Sequence, residues 1–235
     1  MKTAGIDGCK AGWILVSFDS DSEEYRILRD NESLLNAFQE FDRIFIDIPI
    51  GLEDETYNRE CDQLLRKKLG AEYASSVFSP PIRQALHAPS YVEANMQSYD
   101  YTEKKLSLQA WNITPKIKIV DRFLTEKPEL QEGIFESHPE LLFMNLNGGM
   151  IYQKKKTKKG LRHRLDLIKN HEEIAADFFR DIKEEYRRNE VEEDDIVDAM
   201  VLALTAKRSR SEDLKSLPED PPVDSAGLKM AVYYI

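Results

Sequence analysis

The 235-residue sequence has few residues of the kinds that build extracellular, membrane or fibrous proteins. Two cysteines, Cys9 and Cys61, are too few for a disulfide framework or a cysteine-bound zinc site. No window approaches the roughly 18 apolar residues that span a bilayer, and Asp7 precedes any apolar run, so no secretory signal is predicted. Ten glycines and ten prolines leave no room for collagen-like or low-complexity stretches. These absences predict a cytoplasmic protein that does not contact a membrane.

Common enzyme motifs are missing as well. The sequence contains no G-x-S-x-G, no G-x-x-x-x-G-K-S/T and no G-x-G-x-x-G, so serine-hydrolase, P-loop and dinucleotide-binding functions have no motif support. The chain is 41% hydrophobic and 32% charged, which is typical of a globular protein with a full core.

The net charge of −10 hides one strongly basic segment. No acidic residue occurs from Leu141 to Leu165, and residues 154–164 carry seven positive charges in eleven positions, whereas the rest of the chain carries 26 basic against 43 acidic residues. A solvated loop would explain such a run, but a basic patch on an acidic body also suits a polyanionic partner.

The order of predicted elements is that of an α/β protein. Short β-rich runs at 3–7, 13–18 and 25–28 predict an antiparallel meander around a polar turn at 19–24, and 43–48 predicts a buried strand. Asn31 or Ser33 is expected to cap the helix that follows the meander. The remaining predicted helices are 33–41, 57–69 ending at Gly70, 90–110, 117–124 after Pro115, 172–188 and 194–207, and the remaining strands are 133–137 and 230–235.

This order matches a ribonuclease-H-like fold, in which a mixed five-stranded sheet is flanked by helices. We expect one domain over residues 1–235. About 80 residues, 53–130, separate the fourth strand from the fifth, which is too long for a plain crossover and predicts a helical insertion or cap.

Three carboxylates lie on strands of this predicted sheet. Asp7 ends the first strand in GIDG, Asp47 lies in FIDIPIG, and Glu136 lies in IFESHPE. Burying a charge among apolar neighbours is costly without a partner. A functional cluster therefore competes with the simpler interpretation that each is a hydrogen-bonded residue at a strand end.

The last long helix begins with a further acidic group, Asp194-Asp195-Ile-Val-Asp198. Asp195 and Asp198 are three residues apart and share a helix face. Asp194 and Asp198, four apart, would share one too, so the choice between Asp194 and Asp195 stays open. Acidic residues in a first turn stabilise the helix dipole, but Asp198 lies within an apolar stripe and needs another explanation.

Clustered oxygen ligands without cysteine or clustered histidine favour Mg²⁺ or Mn²⁺ over zinc. Two such ions would activate a water molecule and stabilise the leaving oxygen of a phosphodiester. Asp7, on the central strand, is expected to bridge them, and without metal some of these carboxyl groups should have raised pKa values. The predicted catalytic and metal-binding residues are Asp7, Asp47, Glu136, Asp195 and Asp198.

Six motifs, in order, resemble the family called domain of unknown function 429, whose members are inferred to be ribonuclease-H-like nucleases. The motifs are GIDGCKAGW at 5–13, FIDIPIGL at 45–52, SSVFSPPIR at 75–83, LSLQAWNITPKI at 106–117, FESHPELLFMNLNGG at 135–149 and DDIVDAMVLALTA at 194–206. The similarity covers nearly the whole chain. The last motif also resembles the final catalytic helix of Holliday-junction resolvases.

The resemblance implies a metal-dependent nuclease, and the five acidic residues named above match the acidic positions of the fold. The basic segment is expected to bind the phosphate backbone of RNA or DNA, with weaker binding at higher salt. The predicted substrate-binding residues are Arg83 and Lys116 in the family motifs and Lys155, Lys156, Arg162 and Arg164 in the basic segment.

Two other functions stay open. A non-catalytic module that binds nucleic acid or protein could keep the same fold. GIDG also resembles the first phosphate loop of sugar kinases, but those enzymes use two duplicated domains and this chain has one GIDG. A homodimer is a further hypothesis, because an exposed C-terminal strand could pair with a second chain.

Overall fold

The computed structural model describes residues 1–20 and 23–235, so the predicted turn at 19–24 lies partly outside the described residues. The chain divides into two compact units. Unit 1 comprises Met1–Asp47, Glu132–Lys215 and Tyr233–Ile235, and unit 2 comprises Ile48–Gln131 and Ser216–Val232.

Unit 1 contains the predicted mixed five-stranded sheet, in the order β3-β2-β1-β4-β5. The first three strands are antiparallel neighbours, whereas β4 lies parallel to both β1 and β5. The α/β fold class is thereby confirmed. The strands are β1 (Thr3–Cys9), β2 (Gly12–Ser17), β3 (Glu24–Leu28), β4 (Arg43–Ile46), β5 (Ile134–Glu136), β6 (Lys215–Leu217) and β7 (Val232–Tyr234).

Helix α1 lies between β3 and β4, α2 to α4 lie between β4 and β5 in the predicted insertion, and α5 to α8 follow β5. No helix of the described residues is long and apolar enough to cross a membrane. The helices are α1 (Asn31–Glu40), α2 (Glu60–Tyr73), α3 (Tyr91–Thr102), α4 (Leu108–Glu126), α5 (Pro139–Leu146), α6 (Lys158–Lys169), α7 (Ala175–Glu185) and α8 (Glu193–Arg208).

Several predicted helix boundaries were wrong. Asp30, not Asn31 or Ser33, caps α1, because its side chain accepts the Ser33 amide at 2.8 Å. Glu103 adopts a left-handed φ of 57° and ends α3, so the stretch 90–110 is not one helix. Pro115 lies inside α4, where burial of the stripe through Ile117 and Val120 keeps the helix continuous.

Two helices and one strand pairing were not predicted. Helix α5 begins at Pro139, which suits a first helical position because its missing N–H would have no helical partner. Most of the basic segment forms α6 rather than a loop, with Thr157 as its N-cap. The predicted C-terminal strand pairs with β6 in a separate two-stranded sheet, so one of its edges is already occupied.

Helix α8 is the centre of the unit 1 core. It packs across β1, β2 and β4, and its residues from Ile196 to Ala206 are all buried. Gly5 makes this close packing possible, because a Cβ at that position would collide with the backbone of α8 at Ala199 and Ala203. The contact also fixes the position of α8 along the direction of β1, and with it the position of the acidic residues in the first turns of the helix.

The Gly5→Ala variant should be destabilised by about 2–4 kcal/mol, because the added methyl group would push α8 away from β1. Urea unfolding measures the change. Gly148→Ala is the matched control: Gly148 is exposed, has φ of 66° and has open space around it. We expect it to lose only about 1 kcal/mol, from backbone strain. Equal losses in the two variants would contradict the packing role of Gly5.

Candidate active site

The register of the parallel strands places Asp7 beside Asp47. Ile6 on β1 lies opposite Ile46 on β4, and the Asp47 amide donates to the Ile6 carbonyl at 3.2 Å. Asp7 and Asp47, the next residues along the two strands, therefore lie side by side in one row across the sheet. Side chains in a matched row leave the same face of a sheet, and here that face also carries Gly5 and supports α8.

Glu136 occupies a different row. It pairs with Ile46, the residue before Asp47. Ser137, the next residue, donates its backbone N–H to the Ile46 carbonyl and so continues the row of Asp7 and Asp47. Because strand side chains alternate between faces, Glu136 leaves the opposite face from Asp7 and Asp47. Its charge still raises the pKa of Asp47. The structure therefore does not bring Glu136 to the shared face that the sequence predicted.

The first turns of α8 complete the acidic cluster. Asp198 is buried inside the apolar stripe, and Asp195 lies one turn nearer the start of the helix. The negative charges of both raise the pKa of Asp7, which places them within electrostatic reach of β1. We call Asp7, Asp47, Asp195 and Asp198 the carboxylate cluster.

The choice between the two neighbouring aspartates also has a structural answer. Asp195 affects the pKa of Asp7, whereas Asp194 lies 3.9 Å from the Lys155 ammonium and 3.7 Å from that of Lys156. Asp195 also accepts the Glu192 amide at 3.0 Å in a capping box. This structural role occupies one of its two carboxylate oxygens and leaves the other for the cluster.

Burial and like charge dominate the electrostatics of the carboxylate cluster. Burial raises the pKa of Asp7 well above its usual range, and the charges of Asp47, Asp198 and Asp195 raise it further. Burial, followed by the charge of Asp198, raises the pKa of Asp47 to about 7. The pKa of Asp195 rises to about 6, mainly through burial. Strongly shifted groups of this kind concentrate at functional sites.

Lys155 supplies the cation nearest to Asp198. Its ammonium lies 2.6 Å from Asp198 Oδ2, and its side chain is 37% exposed. Its positive charge opposes the rise in the pKa values of Asp7, Asp47 and Asp195. The negative charge of Asp198, followed by those of Asp7 and Asp47, raises the pKa of Lys155. This lysine was predicted as a substrate-binding residue, and the structure places it against a predicted metal ligand.

A buried ion pair supports the loop that carries Lys155. Arg164 is 1% exposed, and its guanidinium binds Glu140 Oε2 at 2.7 Å and the Gln153 carbonyl at 2.8 Å. This burial corrects the prediction that Arg164 meets substrate at the surface. The sequence analysis did not identify Glu140 as a site residue. In the structure, burial raises the pKa of Glu140, and the charge of Glu140 raises the pKa of Asp47. Its place in IFESHPE, four residues after Glu136, was the available signal.

The remaining predicted basic residues fall into two groups. Lys156 and Arg162 are exposed in unit 1, with side chains 72% and 85% accessible. Arg83 belongs to unit 2, where its guanidinium binds Asp121 at 2.9 Å and also pairs with Asp224. Lys116 lies half-buried on α4 in the same unit.

The donor chemistry of the carboxylate cluster fits a divalent cation, because all four groups offer hard oxygen ligands. The arrangement of the side chains is not that of a metal site. Over residues 1–20 and 23–235, no three histidine, cysteine, aspartate or glutamate side chains are gathered closely enough to hold a metal ion.

Comparison with known proteins identifies a family but no reaction. The family described as "Protein of unknown function (DUF429)" matches residues 5–223, and the chain belongs to this family. The resemblance found in the six motifs is thereby confirmed, whereas a nuclease activity stays a prediction. Neither a curated protein nor a solved structure gave a significant match.

Asp47→Asn should stabilise the metal-free protein at about pH 8, by about 1–2 kcal/mol more than it does at about pH 5. The folded pKa of Asp47, about 7, exceeds its ordinary value. The native state therefore holds the proton more tightly than the unfolded chain, and wild-type stability falls as pH rises through this window.

Urea unfolding in a chelating buffer at both pH values measures this effect. Asp166→Asn, a substitution at an exposed aspartate on α6, is the matched control and should be neutral at both. Destabilisation by Asp47→Asn at the higher pH would show that the Asp47 carboxylate is favourably paired, and would contradict a net cost of burying its charge.

Proposed function

We propose that this protein is a divalent-metal-dependent phosphodiesterase that acts on nucleic acid. One observation carries the proposal: the carboxylate cluster combines residues of two strands and one helix, three of its four carboxyl groups have raised pKa values, and the Lys155 ammonium contacts the fourth, Asp198. Such an excess of buried negative charge lowers the stability of the fold, and a bound cationic cofactor would offset this cost.

Asp7, Asp47, Asp195 and Asp198 are the residues that would hold the cofactor, Mg²⁺ or Mn²⁺. A bound divalent ion of this kind supplies a polarised water and positive charge for the developing negative charge of a phosphodiester. Glu136 stays outside the proposed ligand set, because it leaves the other face of the sheet. Asp7 lies on the central strand, and the charges of Asp47, Asp198 and Asp195 all act on it, so it is the ligand that we expect to be shared.

The basic segment is the part of unit 1 best suited to a phosphate backbone. Lys156, Lys158, Lys159 and Arg162 are all exposed there. Lys158 and Lys159 occupy the first turn of α6, where positive charge opposes the helix dipole. An arrangement that is unfavourable for the isolated helix is favourable once polyanion charge covers it, which supports nucleic acid as the substrate class.

The proposal also covers the cell compartment. We place the protein in the cytoplasm, because Cys9 and Cys61 are both buried and are not joined in a disulfide, and thiols stay reduced in that compartment.

Asp7→Asn should abolish Mn²⁺ binding and lower phosphodiester cleavage at least about 100-fold, because it removes the shared ligand. Calorimetry with Mn²⁺ measures the first effect. Cleavage assays use end-labelled single-stranded RNA, single-stranded DNA, duplexes, RNA–DNA hybrid and a four-way junction. Asp166→Asn is the matched control and should match wild type in both assays. Nucleic-acid binding that survives Asp7→Asn, with no cleavage by wild type, would favour the non-catalytic binding module.

Replacing Lys158 and Lys159 together by Gln should weaken nucleic-acid binding. The slope of log affinity against log salt should become shallower by about 1–2, because up to two phosphate contacts are lost. Fluorescence anisotropy over a salt series measures this slope. The control replaces Lys67 and Lys68, an adjacent exposed lysine pair on α2 in unit 2. Equal changes in the two double variants would contradict a specific role for the basic segment.

A further inference from the structure

Lys155 differs from the other lysines of its segment in where its charge lies. Its ammonium reaches Asp198 Oδ2 at 2.6 Å, and Asp198 itself is almost fully buried. The ammonium of the adjacent Lys156 stays 3.7 Å or more from Asp194 and Glu192, on a side chain that is 72% exposed. The two neighbours thus carry the same charge, but only Lys155 enters the carboxylate cluster.

The backbone beneath Lys155 is fixed. Lys154 and Thr157 close a turn around it, in which the Thr157 amide donates to the Lys154 carbonyl at 3.0 Å and the Thr157 hydroxyl donates to it at 2.8 Å. Gly160 is packed so tightly against this turn that a Cβ there would collide with the Lys154 carbonyl. Arg164, itself buried, holds the Gln153 carbonyl just before the turn.

This support means that the ammonium is aimed at Asp198 by the fold. A long, flexible side chain on a free loop would sample many positions, whereas a closed turn anchored on two sides leaves only the lysine stem to move. The stem has four carbon atoms and can carry the ammonium several ångströms away from the cluster without any change in the backbone.

A divalent cation bound at Asp198 would compete with the Lys155 ammonium for the same carboxylate. Two cations only a few ångströms apart in a partly buried site repel each other strongly.

We propose that Lys155 is a built-in counter-cation of the carboxylate cluster, and that a divalent cation enters only when the Lys155–Asp198 pair opens. This inference rests on the proposed metal site and adds its regulation. Once displaced, the ammonium lies beside the exposed lysines of the basic segment, where it is free to meet a phosphate. A polyanionic ligand that attracts Lys155 would therefore promote cation binding, and the cation would in turn promote binding of that ligand.

Calorimetry with Mn²⁺ on the full chain tests the competition. Lys155→Gln should bind Mn²⁺ about fivefold more tightly than wild type, or better, because the metal no longer has to break an ion pair. Lys156→Gln is the matched control, since it removes an equal charge one residue away, and its affinity should stay within about twofold of wild type. Equal or weaker Mn²⁺ binding by Lys155→Gln would overturn the inference.

A metal-free double-mutant cycle separates this inference from the proposed function. Lys155→Gln should destabilise wild type but have a much smaller effect on Asp198→Asn, because the cost comes from the pair. The same cost in both backgrounds would overturn the inference, while Mn²⁺ binding that depends on Asp7 would leave the proposed function standing. Failure of wild type and Lys155→Gln alike to bind Mn²⁺ would overturn both.

Discussion

The mutual repulsion of buried carboxylates on β1, after β4 and on α8 is the constraint around which unit 1 is organised. Asp7 and Asp47 leave one face of the sheet in adjacent positions, and Asp195 and Asp198 approach from α8. Burial and like charge together raise the pKa values of Asp7, Asp47 and Asp195, to about 7 for Asp47 and about 6 for Asp195. A fold that only needed stability would not gather these groups, because apolar residues of similar size would pack there at lower cost.

The rest of unit 1 holds this unfavourable arrangement in place. Helix α8 is buried over most of its length, so its apolar contacts stabilise a position that its acidic first turns would oppose. Gly5 lets the helix approach β1 closely enough for Asp198 to reach the cluster. On the other side, the buried pair of Arg164 with Glu140 supports the turn that aims Lys155 at Asp198. The site thus depends on the packing of α8 and on the Arg164–Glu140 ion pair as much as on the acidic residues themselves.

Much of the fold could be predicted from the sequence, because the signals were local. Alternating or fully apolar runs identified the strands of the main sheet, and the apolar stripe of α8 identified that helix within one residue at each end. The interruptions were harder: Pro115 is tolerated inside α4 because tertiary burial outweighs its local cost, and Glu103 ends α3 through a backbone conformation that its residue type does not signal.

The candidate site was only partly predictable, because register and burial are long-range properties. The sequence identified Asp7, Asp47, Asp195 and Asp198, but not that Glu136 lies one row out of step with Asp47. It counted Arg164 and Lys155 as equivalent charges of one basic run. The fold buries Arg164 against Glu140 and directs Lys155 at Asp198. Those partners are 24 and 43 residues away, too far along the chain for a spacing rule to connect them.

The most direct test of the central claim is a crystal structure of the protein soaked in Mn²⁺, with anomalous differences recorded to locate the metal. We expect a peak bounded by Asp7, Asp47 and Asp198, with the Lys155 ammonium turned away from Asp198. Crystals without a peak, in which Lys155 still binds Asp198, would show that the lysine is the permanent partner of these carboxylates. The carboxylate cluster would then be structural rather than a cation site.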